Sequence, residues 1–89
     1  MKLKSGFEFE IERLEDRVRL IVTEKKSEIV CRKESIKKLV EFISGSEKEI
    51  FKGRLRLKKS SKGISIIVKG FEIGVISKRN LIRLCQNAI

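Results

Sequence analysis

The chain has 89 residues, of which 40% are apolar, and a net charge of +10. This length is enough for one small domain with a single core and too short for two independent cores. No run of roughly 18 apolar residues is present, which excludes a membrane-spanning helix, and residues 1–4 lack the apolar segment of a signal peptide. We therefore expect a single domain over residues 1–89, located in the cytoplasm, with no membrane partner.

The basic charge is concentrated in the second half of the chain. Residues 1–45 contain 11 basic and 9 acidic side chains, net +2, whereas residues 46–89 contain 11 basic and 3 acidic side chains, net +8. Such a bias indicates a nucleic acid or an anionic surface as partner. Abundant Lys, Glu and Ile, with two Asn, one Gln and no His, is typical of a thermophilic microbe or its virus. The generally basic surface of such a protein is the alternative explanation of the charge.

The two cysteines, Cys31 and Cys85, lie far apart and show no metal-ligand spacing. Free cysteine is among the most buried residue types, so we expect both to be small buried apolar residues. A disulfide is the alternative, because intracellular proteins of hyperthermophiles carry them.

Alternation of apolar and charged residues predicts a β-hairpin at the start of the chain. Apolar residues occupy every second position over residues 7–11 and 18–22, on either side of a polar turn. A two-residue turn pairs residues whose numbers sum to 31, which places the apolar pairs on one face and a Glu12–Arg19 ion pair on the other.

A third strand is expected over residues 28–32, with Ile29 and Cys31 facing the core, followed by a helix over residues 33–44. Phe42 falls beside the buried stripe of this helix, where a place at the edge of the core is favoured over a binding role. The stripe has the 3, 4, 7 spacing of an amphipathic helix and consists of Ile36, Leu39, Val40 and Ile43.

The second half opens with residues 51–58, F-K-G-R-L-R-L-K, which alternate strictly and are read as one strand. This strand is expected to pair with residues 63–69 so that paired numbers sum to 121. A tight turn at residues 69–70 then returns a third strand, whose inward residues are Phe71, Ile73 and Val75. Ser77 predicts the N-cap of a last helix, whose apolar stripe is Leu81, Leu84, Cys85 and Ala88.

The apolar positions of the two halves match with offsets of 44 to 46 residues, from Ile11 and Leu57 to Ile43 and Ala88. Ordered offsets of this kind favour an internal repeat. The predicted fold is α+β: a tandem βββα repeat of antiparallel meanders with two helices packed on one side and pseudo-twofold symmetry. Repeat 1 covers about residues 7–44 and repeat 2 about residues 51–89.

Catalysis has little support in the sequence. The chain has no His, which is the commonest general base, and only one Asp. Glu10, Glu12 and Asp16 are the only neighbouring carboxylates, and arginines surround them. Glycine-rich phosphate loops of the known types are absent. We expect no enzyme activity, no catalytic residues, no metal site and no cofactor.

Binding to phosphates is better supported. The outward side of residues 51–58 carries four cations without an acid, next to cations of the following turn and strand. Arginine forks, lysines and hydroxyls are good donors to phosphate, and a second basic group opens the last helix, where an anion can dock. The candidate nucleic-acid-binding residues are Lys52, Arg54, Arg56, Lys58, Lys59, Lys62, Lys69, Lys78 and Arg79.

Base stacking is not expected. Single-strand platforms stack bases on exposed aromatic rings, whereas the strand phenylalanines all take the inward parity: Phe7, Phe9, Phe51 and Phe71. Four apolar residues take the outward parity, where they contact bases weakly or mark the interface of a homodimer: Ile21, Val30, Ile67 and Ile76.

The strand-to-helix segments at residues 27–43 (S-E-I-V-C-R leading into a helix) and 71–89 (F-E-I-G-V-I-S leading into a helix) resemble those of the Whirly and Pur-alpha families. Those families place a helix behind a curved antiparallel sheet and bind single-stranded DNA or RNA on the sheet, usually as dimers. The resemblance implies that the bound strand contacts Lys52, Arg54, Arg56 and Lys69.

Two alternatives stay open. Residues 35–89 are also similar in element order, αβββα, to the double-stranded RNA-binding domain, with a basic segment at residues 77–79 opening the last helix. A protein–protein adaptor or inhibitor that docks an acidic partner by the same basic face is the alternative from another class.

Overall fold

The computed structural model describes residues 1–3, 6–51 and 53–88, and the side chains of these residues as far as residue 86. In these ranges three strands precede the first helix, and four more lie between the first helix and the second. The elements in chain order are β1 (Phe7–Leu14), β2 (Arg17–Glu24), β3 (Ser27–Ser35), α1 (Ile36–Ser44), β4 (Glu49–Ile50), β5 (Leu55–Ser60), β6 (Gly63–Val68), β7 (Phe71–Ile76) and α2 (Lys78–Ala88).

The first sheet has the order β1-β2-β3, with antiparallel neighbours. Its first hairpin has the predicted register, since Phe9 pairs with Val22 and paired numbers sum to 31 along the whole hairpin. The outward Arg19 guanidinium lies 3.3 Å from the Glu12 carboxylate. Both the register and the predicted ion pair are therefore confirmed.

Strand β3 departs from the prediction. A bulge between Val22 and Thr23 shifts the pairing of β2 with β3 by one residue, and an extra residue moves the side chains beyond it to the other face. As a result Val30 is buried and Cys31 is exposed, so the predicted inward Cys31 and outward Val30 are both wrong. Cys85 is buried as predicted, and both cysteines are free thiols.

Helix α1 begins three residues later than predicted, because β3 extends to Ser35. The Ser35 hydroxyl then caps the helix by accepting the Lys38 N–H at 3.1 Å. With this start, Phe42 points into the core and is fully buried, while Val40 is 47% exposed. Phe42 therefore replaces Val40 in the buried stripe.

The second sheet has the order β4-β5-β6-β7. Residues 51–58 do not form one strand, because Phe51 and Gly53 adopt positive φ angles of 70° and 99° and turn the chain back between β4 and β5. Leu57 pairs with Ile66 rather than with Ile64, so the paired numbers sum to 123. The predicted register was wrong by two residues, which changes the partners but leaves the paired residues on the predicted face; the buried ones are Leu55, Leu57, Ile64, Ile66 and Val68.

The turn at residues 69–70 is confirmed, but a second bulge, between Ile66 and Ile67, changes the faces of β7. Ile76, predicted to face outward, is 1% exposed, and Phe71, predicted to face the core, is 76% exposed. The bulge moves the β7 residues after it, including Ile76, to the other face. Phe71 precedes the bulge and pairs with the buried Val68 as predicted, so it keeps its predicted face and is exposed because nothing in the described part of the chain covers that end of the sheet.

One core holds the two sheets and two helices together. Helix α2 begins with the predicted cap, in which the Ser77 hydroxyl accepts the Asn80 N–H at 3.0 Å. It packs against β1 of the first sheet and buries Leu81 and Cys85, whereas the stripe position Ala88 lies beyond the described side chains. The protein is thus a small, compact α+β fold with a radius of gyration of 11.9 Å, and neither described helix is long and apolar enough to cross a membrane.

Candidate nucleic-acid interface

Strand β5 presents the basic residues by simple alternation. Leu55 and Leu57 are fully buried, and the residues between and after them, Arg56 and Lys58, point to the other side of the sheet. Arg54 is exposed in the turn before β5. The predicted alternation is confirmed for residues 54–58, while Lys52 lies outside the described residues.

The row of cations is not free of acids. Strand β4 lies beside β5, and Glu49 of β4 accepts a hydrogen bond from the Arg56 guanidinium at 2.9 Å. The sequence pattern did not predict β4, which is only two residues long, and therefore did not predict a carboxylate beside Arg56. Within the described residues neither Arg54 nor Lys69 forms an ion pair with a carboxylate.

Arg54, Arg56 and Lys69 line one open groove of about 830 Å³, which we call the basic groove; its lining residues are Glu49, Phe51, Gly53, Arg54, Arg56, Lys69 and Gly70. The β6–β7 turn is tied to Arg54, because the Lys69 N–H donates to the Arg54 carbonyl at 2.8 Å. Among the described lining residues, three cations and one carboxylate give an excess of two positive charges. Open grooves with focused positive potential attract anionic ligands.

Arg32 is a further cation beside the basic groove, and the sequence pattern did not predict it as a binding residue. It lines, with Arg54, a second cleft of about 440 Å³ between β3 and β5. Its guanidinium carbon lies 4.8 Å from the centre of the Phe51 ring, and its Nε donates to Glu34 at 2.7 Å. A cation stacked on an aromatic face is held in place, so Arg32 extends the positive surface from the second sheet to the edge of the first.

Lys59 supports the fold. Its ammonium donates to the Gly45 carbonyl at 2.7 Å and lies 4.7 Å from the centre of the Phe42 ring. Gly45 follows the last turn of α1, and a cation there stabilises the negative end of the helix dipole. Lys59 is therefore committed to α1, and its predicted role in binding is not supported by its contacts.

The remaining described cations of the predicted set do not line the basic groove, although Lys58 lies directly opposite the lining residue Glu49 of β4. Lys78 lines a small cleft with Lys59 and Ser60 at the far end of β5, roughly 17 Å from Arg54 at about 3.3 Å per strand residue. The structure therefore brings together only part of the predicted set, and the exposed residues outside the groove are Lys58, Lys62, Lys78 and Arg79.

Two ionisable groups outside the groove have shifted pKa values. The pKa of Arg19 is raised, mainly by its hydrogen bond with the Cys31 side chain and then by Glu12. Burial raises the pKa of the Cys85 thiol. A raised pKa keeps a thiol in its unreactive protonated form. In the described part of the chain, His, Cys, Asp and Glu side chains form no group of three or more that would hold a metal ion.

No protein-family model, curated protein or solved structure matches this chain. The basic groove is an open surface with an excess of cations among its described lining residues, and such a surface is chemically suited to phosphates.

Proposed function

We propose that this protein is a non-catalytic nucleic-acid-binding protein that holds single-stranded DNA or RNA by its phosphates in the basic groove. The observation that carries this function is the convergence of Arg54, Arg56 and Lys69 on one open groove, whose described lining residues include a single carboxylate, that of Glu49. Arginine donates two parallel hydrogen bonds to a phosphate, and lysine supplies a mobile point charge. Binding at a sheet surface also agrees with the resemblance to the Whirly and Pur-alpha families.

We also propose that the two halves are a tandem βββα repeat with pseudo-twofold symmetry and with both helices on one side. Each half contains three consecutive antiparallel strands followed by a helix that starts at a serine cap. The bulges after Val22 and after Ile66 lie 44 residues apart. The two-residue turns that follow them, residues 25–26 and 69–70, have positive φ angles throughout and are again 44 residues apart.

The function is tested by titrating a fluorescently labelled single-stranded oligonucleotide at several salt concentrations. Three neutralised phosphates predict a log–log slope of about −2 to −3. The double variant Arg54→Glu, Lys69→Glu should lower the affinity at low salt by at least about 100-fold, since hydrogen bonds to charged groups contribute roughly 1.5–3 kcal/mol each.

The matched control is Lys33→Glu, Lys37→Glu, which changes the net charge equally at exposed residues outside the groove. This control should keep most of the affinity. Equal losses in both variants would show that only net charge matters and would reject the groove as the site. If single-stranded DNA, RNA and duplex probes all failed to bind at low salt, the adaptor with an acidic protein partner would replace the proposed function.

A further inference from the structure

A second groove lies next to the basic groove and has a different character. It has a volume of about 440 Å³, an apolar floor and a charged rim, and its lining residues are Phe7, Glu24, Ile29, Val68, Lys69, Phe71, Glu72 and Ile73. We call it the apolar groove. Lys69 lines both grooves, so a ligand chain that leaves the basic groove past Lys69 enters the apolar groove directly.

Phe71 stands at the apolar groove with 76% of its surface exposed. Other large apolar residues with high exposure in the described part of the chain lie on the helices, Val40 at 47% and Ile82 at 36%. Exposure of a phenylalanine ring forgoes the roughly 1.5–3 kcal/mol that its burial contributes. The ring is therefore available to a ligand, and it follows the Lys69–Gly70 turn that lines the basic groove.

We propose that Phe71 stacks on an unpaired base of the strand whose phosphates lie on Arg54 and Lys69. The basic groove then holds the backbone and the apolar groove receives the base. This inference rests on the proposed function and deepens it, because an aromatic side chain stacks on bases of any sequence, whereas the bases of a duplex are already paired and stacked. Phe71 thereby selects single strands over duplexes.

The charges of the two grooves support this division. Glu24 and Glu72 line the apolar groove, and their carboxylates repel a phosphate placed there. Arg54 and Lys69, which form no ion pair with a carboxylate of the described residues, lie on the other side, in the basic groove. A nucleotide placed across Lys69 therefore keeps its phosphate with the cations and its base with the ring. Carboxylates also accept hydrogen bonds from the amino groups of bases.

The test compares a normal single strand with an abasic strand of the same length, which keeps the phosphates and lacks the bases. The wild-type protein should prefer the normal strand by about 5- to 100-fold. Phe71→Ala should remove this preference, leave duplex binding within about twofold and keep the salt slope, because the ring is neutral. Phe71→Leu, which keeps apolar volume without an aromatic face, should behave like Phe71→Ala.

A second readout uses the absence of tryptophan from the chain. Phe71→Trp introduces one fluorophore whose emission should be quenched by the normal strand and not by the abasic strand. Ile82→Trp, at an exposed position on α2, is the matched control and should show no such difference. Thermal melts of every variant should show that it is folded, because Phe71 and Ile82 are both exposed in the native protein.

Failure of this inference is distinguishable from failure of the proposed function. If the wild-type protein binds with the expected salt slope but Phe71→Ala keeps the preference for bases, only the stacking role is overturned. If the wild-type protein binds neither the normal nor the abasic strand, both the proposed function and the stacking role of Phe71 are rejected. A dimer that dissociates in Phe71→Ala, with equal affinity for normal and abasic strands, would assign the apolar groove to a second copy of the chain and overturn the stacking role.

Discussion

Gly63 starts β6 in a conformation that other residues rarely adopt. Its φ angle is 137°, and a Cβ atom at this position would lie 2.6 Å from the carbonyl oxygen of Ile76. The oxygen belongs to the backbone of the neighbouring strand β7, so it cannot move aside as a side chain would. Two independent constraints therefore require glycine here.

Gly63→Ala should lower the free energy of unfolding by about 3 kcal/mol or more, since the strain of positive φ and the contact with a backbone atom add together. Gly70→Ala is the control, because Gly70 has a φ angle of 86° with open space around it and should lose only about 1–2 kcal/mol. Urea unfolding followed by circular dichroism measures both. Equal losses would show that the contact with Ile76 has no effect.

At the scale of the element, the β2–β3 hairpin turns through two lysines with φ angles of 51° and 68°, Lys25 and Lys26. Turns with two positive φ angles match the twist of a hairpin and favour glycine at the second position. The β6–β7 hairpin has Gly70 at its second turn position, whereas the first half uses a lysine with a strained backbone.

Lys26→Gly should therefore raise the free energy of unfolding by about 0.5–1 kcal/mol, because glycine relieves the strain of the left-handed conformation. Lys26→Ala removes the same charge but keeps the Cβ atom, and it should not stabilise the protein. Thermal melts of the two variants separate the effects. A gain of equal size in both would assign the stabilisation to charge.

The pairing of β4 with β5 allows a second prediction at this scale. Glu49 on β4 partly neutralises the charge of Arg56 in the basic groove. Glu49→Gln should raise the affinity for a single-stranded oligonucleotide about two- to fivefold at low salt, as expected when a surface ion pair of less than about 1 kcal/mol is released. Glu47→Gln makes the same charge change at an exposed residue outside the groove. Titrations that gave the two variants the same gain would argue against phosphate binding at Arg56.

At the scale of the whole molecule, the two halves share one core. The second helix packs on β1 of the first sheet, and Leu3 lies against Gly74 of β7, where a Cβ atom would meet its side chain at 3.0 Å. The buried residues of both halves, including the fully buried Phe9 and Leu57, belong to one hydrophobic cluster. Neither half has a core of its own.

We therefore predict that fragments 1–45 and 46–89 are each unfolded alone, while the full chain unfolds in one cooperative transition. Far-UV circular dichroism of each fragment and of their mixture tests this. A fragment with the strand signal and a cooperative melt would contradict a shared core.

The local pattern determines much of the fold and part of the site. Alternation with a period of two determined the faces of β1, β2 and β5, because neighbouring strand residues point to opposite sides whatever the partner strand is. The same alternation, with the glycine turn at residues 69–70, was sufficient to predict Arg54, Arg56 and Lys69 as neighbours. The Ser77 cap marked the start of the last helix for an equally local reason.

Only the tertiary structure decided the two bulges and the place of β4. A bulge depends on how a whole sheet curves over the shared core, and one inserted residue exchanges the faces of all that follow. This exchange buried Val30 and Ile76 and exposed Cys31. Phe71 keeps its predicted pairing with Val68, and the tertiary structure decided its exposure because no described element covers that end of the sheet. Glu49 likewise approaches Arg56 because the chain reverses at Phe51 and Gly53. The sequence did not predict this reversal, since residues 51–58 alternate without interruption and were interpreted as one strand.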